Sequence, residues 1–190
     1  MLALSYMRSI PRYALIKASG GNPKVSTGDF SVLHCGDVPA PELPAAGWER
    51  VYPRLSGICG SDLSALTGHT SLYLDPLTSY PFIPGHEVVG QLSDGTRVVI
   101  EPALGCRVRG IAEECARCTE GRPGLCENLD AGDLPVGLQT GYCSATGGWW
   151  GEMLVAHPSQ LHQVPEKLSD EAAVLIEPLA CCVHAVLRGQ

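Results

Sequence analysis

The sequence contains no uninterrupted apolar run near the ~20 residues that span a bilayer, so no membrane-crossing helix is expected. It also lacks a basic excess. Lys plus Arg number 13 against 20 Asp plus Glu, and the net charge of -7 argues against a nucleic-acid or anionic-membrane surface, which needs a net basic face. Residues 1–10 begin apolar but are broken by Ser5 and Arg8, Pro11 follows, and no small-residue cleavage site appears, so no secretion signal is expected. An internal repeat is missing too. These absences leave neither nucleic acid nor membrane as an expected partner, and a cytoplasmic address by default; a homo-oligomer is left open.

With 190 residues the chain suits one domain or one and a half. Hydrophobic residues make up 45% and charged ones only 17%, enough apolar area to offset the entropy of ordering. The 22 Gly and 15 Pro are scattered, and such punctuation between short apolar runs reads as strands and turns, a mainly β (α+β) domain. Strands are expected at residues 12–17, 87–92, 97–100 and 152–156. Residues 49–55 also look strand-like, with Pro53 confining them to an edge or a bulge. Near the end, Ser169 is a helix N-cap before Asp170 and Glu171, whose charges suit the positive end of a helix running to about residue 176. Pro178 suits the first turn of a second helix. Residues 179–187 are apolar nearly all round apart from His184, so that helix expects cover on every side.

Nine cysteines, an odd number without a secretion signal, fit a reducing compartment in which clustered thiols hold metal. Cys106, Cys115, Cys118 and Cys126 form a C-x8-C-x2-C-x7-C series within 21 positions. Two thiolates of a C-x2-C pair can converge on one ion, and two more close a tetrahedron around Zn2+ with no open position, which is a structural site. Cys106 is the distant member, and Cys143 or Glu113 are alternatives to it. A second, dispersed set contains Cys59, His86, Glu87 and Glu177. Mixed sulfur, nitrogen and oxygen donors of this kind leave a zinc position open for water or substrate.

Several residues carry plainer readings. Cys35, Cys181, Cys182 and Cys143 read as small core or bridging thiols, and His34, His69, His157 and His162 as surface or capping histidines, with His69 worth testing because it closely follows the first zinc motif. Trp149 and Trp150 read as packing residues. Arg107, Arg109, Arg117 and Arg122 read as a solvated face on the cysteine loop.

Taken together, residues 57–62 (GICGSD), 84–90 (PGHEVVG), the 115–126 cysteine loop, 147–155 (GGWWGEMLV) and 168–186 (LSDEAAVLIEPLACCVHAV) resemble the zinc-dependent medium-chain dehydrogenases of the alcohol, sorbitol and threonine type. The resemblance runs from about Gly57 to the end and is loose before Pro41. It implies a GroES-like, partly open β-barrel over residues 1–177, including the 106–126 loop, with residues 178–190 starting a bridging helix to a cofactor domain that this sequence lacks. No G-x-G-x-x-G opens a helix after a strand here. By the same resemblance Cys59 and His86 are catalytic-zinc ligands, Glu87 and Glu177 share the remaining protein position, and Ser61 passes the substrate proton. Cys106, Cys115, Cys118 and Cys126 are then the structural-zinc set.

The implied activity is oxidation of an alcohol or polyol, or reduction of the carbonyl, through a zinc-bound alkoxide with hydride transfer to NAD or NADP, the chain being inactive alone. The alternative is a zinc-stabilised non-catalytic binding module or pseudo-enzyme. Departures from the pattern are Ala112 where the family commonly has its first structural ligand, Ser64 where many members have a relay histidine, and a short turn at residues 93–95.

Overall fold

A computed structural model describes residues 1–189; Gln190, the last residue of the expected bridging segment, lies outside them. The first elements are β1 (Leu2–Tyr6), α1 (Ile10–Ala18), the single turn α2 (Pro23–Ser26) and β2 (Leu33–Asp37). β2 returns antiparallel on β1, placing Leu33 opposite Tyr6. Then follow β3 (Glu49–Ser56), α3 (Gly60–Leu66), β4 (Val88–Gln91), β5 (Arg97–Ile100), α4 (Ala116–Thr119), β6 (Leu154–Ala156), β7 (Leu161–Gln163), α5 (Asp170–Ala173) and α6 (Ile176–Arg188). Five strands make one antiparallel sheet in the order β6-β3-β4-β5-β7. The domain is sheet-based with short helices, as its composition suggests.

Both faces of this sheet are buried, which explains why β4 and β5 are apolar at successive positions instead of alternating. Val88, Val98 and Ile100 pack on one face with Val51, Trp149, Leu154 and Ala156. Val89 and Val99 pack on the other with Val164, Ala173 and Val174. The cover on that second face is α5, held by its cap and by charge. Ser169 Oγ accepts from the Ala172 N–H at 3.3 Å, and Asp170 receives Arg97 at 2.7 Å and Arg54 at 2.8 Å. The β4–β5 hairpin closes tightly, with the Leu92 N–H on the Thr96 carbonyl at 2.9 Å.

Pro53 sits at a bulge: the β3–β4 register shifts between Pro53 and Leu55, which accommodates the missing donor in a strand that lies inside the sheet. Three expectations are corrected. Residues 12–17 belong to helix α1 rather than to a strand, because Pro11 suits a first helical turn and Ile16 alone is fully buried, a one-sided anchor rather than an alternating face. Cys35, Cys181 and Cys182 are exposed, not core thiols, since β1–β2 is only a two-stranded ribbon and none of the residues of α6 is buried. And α6, which carries Pro178 in its first turn, is not covered on every side: Leu179 and Leu187 are 60% and 66% exposed among the described residues.

Candidate metal centres

The loop between β5 and β6 brings the thiols of Cys106, Cys115, Cys118 and Cys126 within 4.8 Å of one another. Cys106 Sγ and Cys126 Sγ are 3.6 Å apart. With Zn–S bonds of about 2.3 Å, the edge of a sulfur tetrahedron is about 3.8 Å, so the pocket is already near the size of the ion. Backbone N–H groups point at the sulfurs: Cys106 N–H to Cys118 Sγ at 3.4 Å, Cys115 N–H to Cys106 Sγ at 3.4 Å, Glu127 N–H to Cys115 Sγ at 3.5 Å and Asn128 N–H to Cys126 Sγ at 3.4 Å. Donors aimed at sulfur stabilise thiolate. The N–H groups of Glu127 and Cys118 pull the Cys115 thiol down to about 6, whereas burial pushes Cys118 up to about 12. Neither alternative to Cys106 joins the cluster. Cys143 is packed in a separate apolar core with Trp48 and Leu104, and Glu113 is exposed.

Cys59, His86 and Glu87 converge in the same way, their donor atoms also within 4.8 Å of one another. Strand pairing accounts for the meeting. Ser56 at the end of β3 faces Val88 at the start of β4, and beyond that pair the Gly57 N–H donates to the Glu87 carbonyl at 2.9 Å. A Cβ on Gly57 would run into the Glu87 carboxylate, so glycine permits the approach. Cys59 then serves as N-cap of α3, where Asp62 Oδ2 accepts the Cys59 N–H at 3.1 Å in a capping box.

Asp62 has a second task. Its Oδ1 faces His86 Nδ1 at 3.7 Å, both side chains are buried, and neither atom has a hydrogen-bond partner. Burial raises the Asp62 pKa, while the charge of His86 and the N–H groups of Cys59 and Gly85 oppose the rise. A carboxylate behind Nδ1 orients the imidazole and leaves its other nitrogen for a metal. Glu177 lies outside the group of three. It accepts from Cys181 Sγ at 3.4 Å; burial raises its pKa and the charge of His86 opposes this, so it sits within the field of the site. Ser61, in the first turn of α3, lies beside the Tyr142 phenol, which burial pushes up to about 12. The Tyr142 ring in turn sits 6.1 Å from that of His86.

Asp62 and Tyr142 were not expected as site residues. Asp62 is visible in the sequence as the third residue after Cys59 in a capping pattern, a signal that conceals its second role; Tyr142 carries no local signal. Among the plainer readings, His157 is a capping histidine, accepting the Ser159 N–H at 3.2 Å, and His69 Nδ1 is 2.9 Å from Thr67 Oγ1. Trp149 is buried in the sheet core and Trp150 packs against another. Arg107, Arg117 and Arg122 pair with surface carboxylates. Arg109 corrects the solvated-face reading: it is fully buried, and each of its three guanidinium nitrogens donates to a backbone carbonyl.

The family model for the alcohol dehydrogenase GroES-like domain matches residues 45–166. The starvation-sensing protein RspB of Escherichia coli (strain K12) is 31% identical over 157 residues, covering 77% of this chain and 40% of its own length. D-arabitol-phosphate dehydrogenase of Enterococcus avium is 32% identical over 153 residues, covering 77% of this chain and 39% of its own. The chain therefore spans about two fifths of the length of these relatives. A crystal structure described as short chain alcohol dehydrogenase (rspB) from E. coli CFT073, complexed with NADH, aligns with a TM-score of 0.61 at 26% identity, covering 94% of this chain and 42% of that one. Galactitol-1-phosphate dehydrogenase from Escherichia coli aligns at 0.64 with 22% identity over 97% of this chain and 44% of its own, and shows the shared fold alone.

Proposed function

Because the chain belongs to the alcohol dehydrogenase GroES-like domain family, we propose that it is the zinc-bearing catalytic domain of a dehydrogenase that acts on an alcohol or polyol with NAD or NADP as hydride acceptor. The observation that carries this reading is the convergence of Cys59, His86 and Glu87 from separate elements, with a buried carboxylate behind the histidine. Cys59, His86 and Glu87 would hold a catalytic zinc, with Glu177 as an alternate carboxylate, and Cys106, Cys115, Cys118 and Cys126 a structural one. The donor sets fit: mixed thiolate, imidazole and carboxylate suit a site with an open position, and four thiols suit a closed one.

When bound, a catalytic zinc supplies Lewis-acid polarisation of a substrate oxygen. The chain's own residues do the rest. Asp62 places a buried carboxylate oxygen 3.7 Å behind His86 Nδ1, and the missing Cβ at Gly57 leaves room for the Glu87 carboxylate. Ser61 Oγ would relay the proton leaving the substrate hydroxyl, accepting it while giving up its own, and Tyr142, kept neutral by burial, stands beside it. With Ser64 where a histidine is common in the family, that proton passes on through water in the cleft that Ser61, Ser64 and Tyr142 line. Residues 1–177 form the catalytic domain in this reading, and the segment from residue 178 begins a bridge to a cofactor-binding domain; the exposed apolar side chains of α6 support that role. NADH in the aligned rspB structure supports the choice of acceptor.

Metal analysis tests the proposal. The purified chain should carry close to two zinc ions, Cys59→Ala should lose one of them, and Cys115→Ala the other. A Cys59→Ala protein with undiminished zinc would reduce the chain to a module stabilised by its cysteine loop.

A further inference from the structure

We propose that Cys181 is a positioning residue for Glu177: its thiol holds that carboxylate on α6, apart from Cys59 and His86, and so leaves Glu87 as the first carboxylate at the catalytic metal position. The proposal rests on the function just argued and deepens it.

Topology brings three carboxylates to one end of the sheet. Val89 of β4 pairs with Val99 of β5, so Glu87, just before β4, and Glu101, just after β5, leave the hairpin at the same end. Ile176, the first residue of α6, packs beside Val89, Val99 and Val174, and Glu177 follows it. The charges of His86, Glu87 and Glu101 all act on Glu177. His86 attracts it, and the two carboxylates repel it. Even so, Glu177 stands outside the group formed by Cys59, His86 and Glu87, whose donor atoms lie within 4.8 Å of one another.

What holds Glu177 aside is on its own helix. Cys181 Sγ donates to Glu177 Oε1 at 3.4 Å, and the two residues are four apart, the spacing at which helical side chains meet. A thiol is a weak donor, but a charged acceptor strengthens the bond. Cys182 offers a built-in comparison: it is a second exposed thiol, one residue further on and about 100° further round the helix. A bond made only while Glu177 is held on α6 stabilises that arrangement. Drawing Glu177 to the metal then requires breaking it, which lowers the apparent affinity by the fraction of molecules with the carboxylate free.

The test measures zinc affinity at the Cys59 site of the 190-residue chain by chelator competition, with the cysteine cluster filled first. Cobalt(II) is bound there in parallel, because its visible bands report the number and type of ligands. Cys181→Ala removes the donor at an exposed helical position where alanine favours the helix, so folding is not at risk. It should tighten zinc about three- to tenfold, the part of a charged hydrogen bond that an exposed thiol retains, and should alter the cobalt bands as Glu177 joins the metal. Cys181→Ser keeps a donor and should stay within about twofold of wild type, as should Cys182→Ala. Combined with Glu177→Gln, Cys181→Ala should change neither affinity nor bands relative to Glu177→Gln alone. Unchanged or weakened zinc binding in Cys181→Ala, an equal change in Cys182→Ala, or the same shift in the Glu177→Gln background overturns the proposal. Failure of the underlying function shows separately, as undiminished zinc in Cys59→Ala, whereas a Cys59→Ala chain that loses one zinc leaves those outcomes to bear on Cys181 alone.

Discussion

Arg109→Met should destabilise the zinc-loaded protein by about 3 kcal/mol or more, although it removes no contact with a metal ligand's sulfur. The guanidinium is fully buried and donates through Nε to the Leu104 carbonyl at 3.0 Å and through Nη2 to Gly137 at 2.6 Å. Nη1 is shared among Ala131 at 3.2 Å, Leu134 at 3.2 Å and Pro135 at 3.3 Å. Burial lowers its pKa, and the thiols of Cys143 and Cys126 oppose the shift. Counting Nη1 as a single bond because its contacts are split, three charge-assisted bonds at roughly 1.5–3 kcal/mol each give a gross loss of about 4.5–9 kcal/mol. Water reaching some of the freed carbonyls and the apolar packing retained by methionine offset part of this.

Urea denaturation in excess zinc measures the difference, since it keeps both proteins metal-loaded. For a chain of this length about 3 kcal/mol corresponds to a fall of roughly 6–12 °C in Tm. Arg109→Lys should recover only part of the loss, because an ammonium lacks the planar fork that serves carbonyls from residue 104 to residue 137 at once. A change within about 0.5 kcal/mol, as for a solvated side chain, would refute the claim that this arginine organises the loop.

Asp62→Asn should lower zinc affinity at the Cys59 site by about 10–100-fold, the usual consequence of removing a carboxylate behind a histidine ligand, while the cysteine cluster keeps its metal; competition with a chromophoric chelator reads both. Chelation should make the 106–126 loop sensitive to trypsin at Arg107, Arg117 or Arg122, because a loop ordered by four thiols loses its constraint with the ion; equal digestion rates with and without chelator would contradict this. The Asp170 pKa is lowered, chiefly by Arg54 and then by Arg97. Its stabilising effect is present above the ordinary carboxylate value of 3.8 and is lost as pH falls from there through the lower folded value. The stability gap between wild type and Asp170→Asn should therefore close in acid, and a gap unchanged from pH 6 down to the acid limit of folding would count against the pairing.

Elements whose pattern is local were legible in the sequence. β5 matches its expected limits at residues 97–100, the Ser169 cap bonds as expected although its helix ends at Ala173 rather than near residue 176, and of the edge or bulge that Pro53 signalled the structure has the bulge. α1 was not legible because a six-residue run such as 12–17 is too short for its period to separate helix from strand; what decided was docking of Ile16 into a core assembled from residues 6, 32, 65, 66 and 82. The thiol cluster showed in its spacing, and the structure gathers the same four residues. Arg109 misled for a physical reason. A cation in a Gly-containing loop is normally solvated, and nothing local announces that carbonyls up to 28 positions away will enclose it.

The bulge that Pro53 signals also accounts for the position of the dispersed site. Before it, Tyr52 pairs with Gln91 and Pro53 with Gly90; after it, Leu55 pairs with Val89 and Ser56 with Val88. One extra residue, Arg54, is taken up on β3. Its side chain bonds Asp170 of α5 at 2.8 Å and Gln91 of β4 at 3.0 Å, so the insertion is pinned from two sides. A register one residue different beyond Leu55 would turn side chains to the opposite face of the sheet and move residues 57–59 along 86–87 by a strand step of about 3.4 Å. That step is comparable to the 4.8 Å span within which Cys59, His86 and Glu87 now meet. A backbone irregularity caused by a proline that cannot donate thus helps to set which donor atoms stand together.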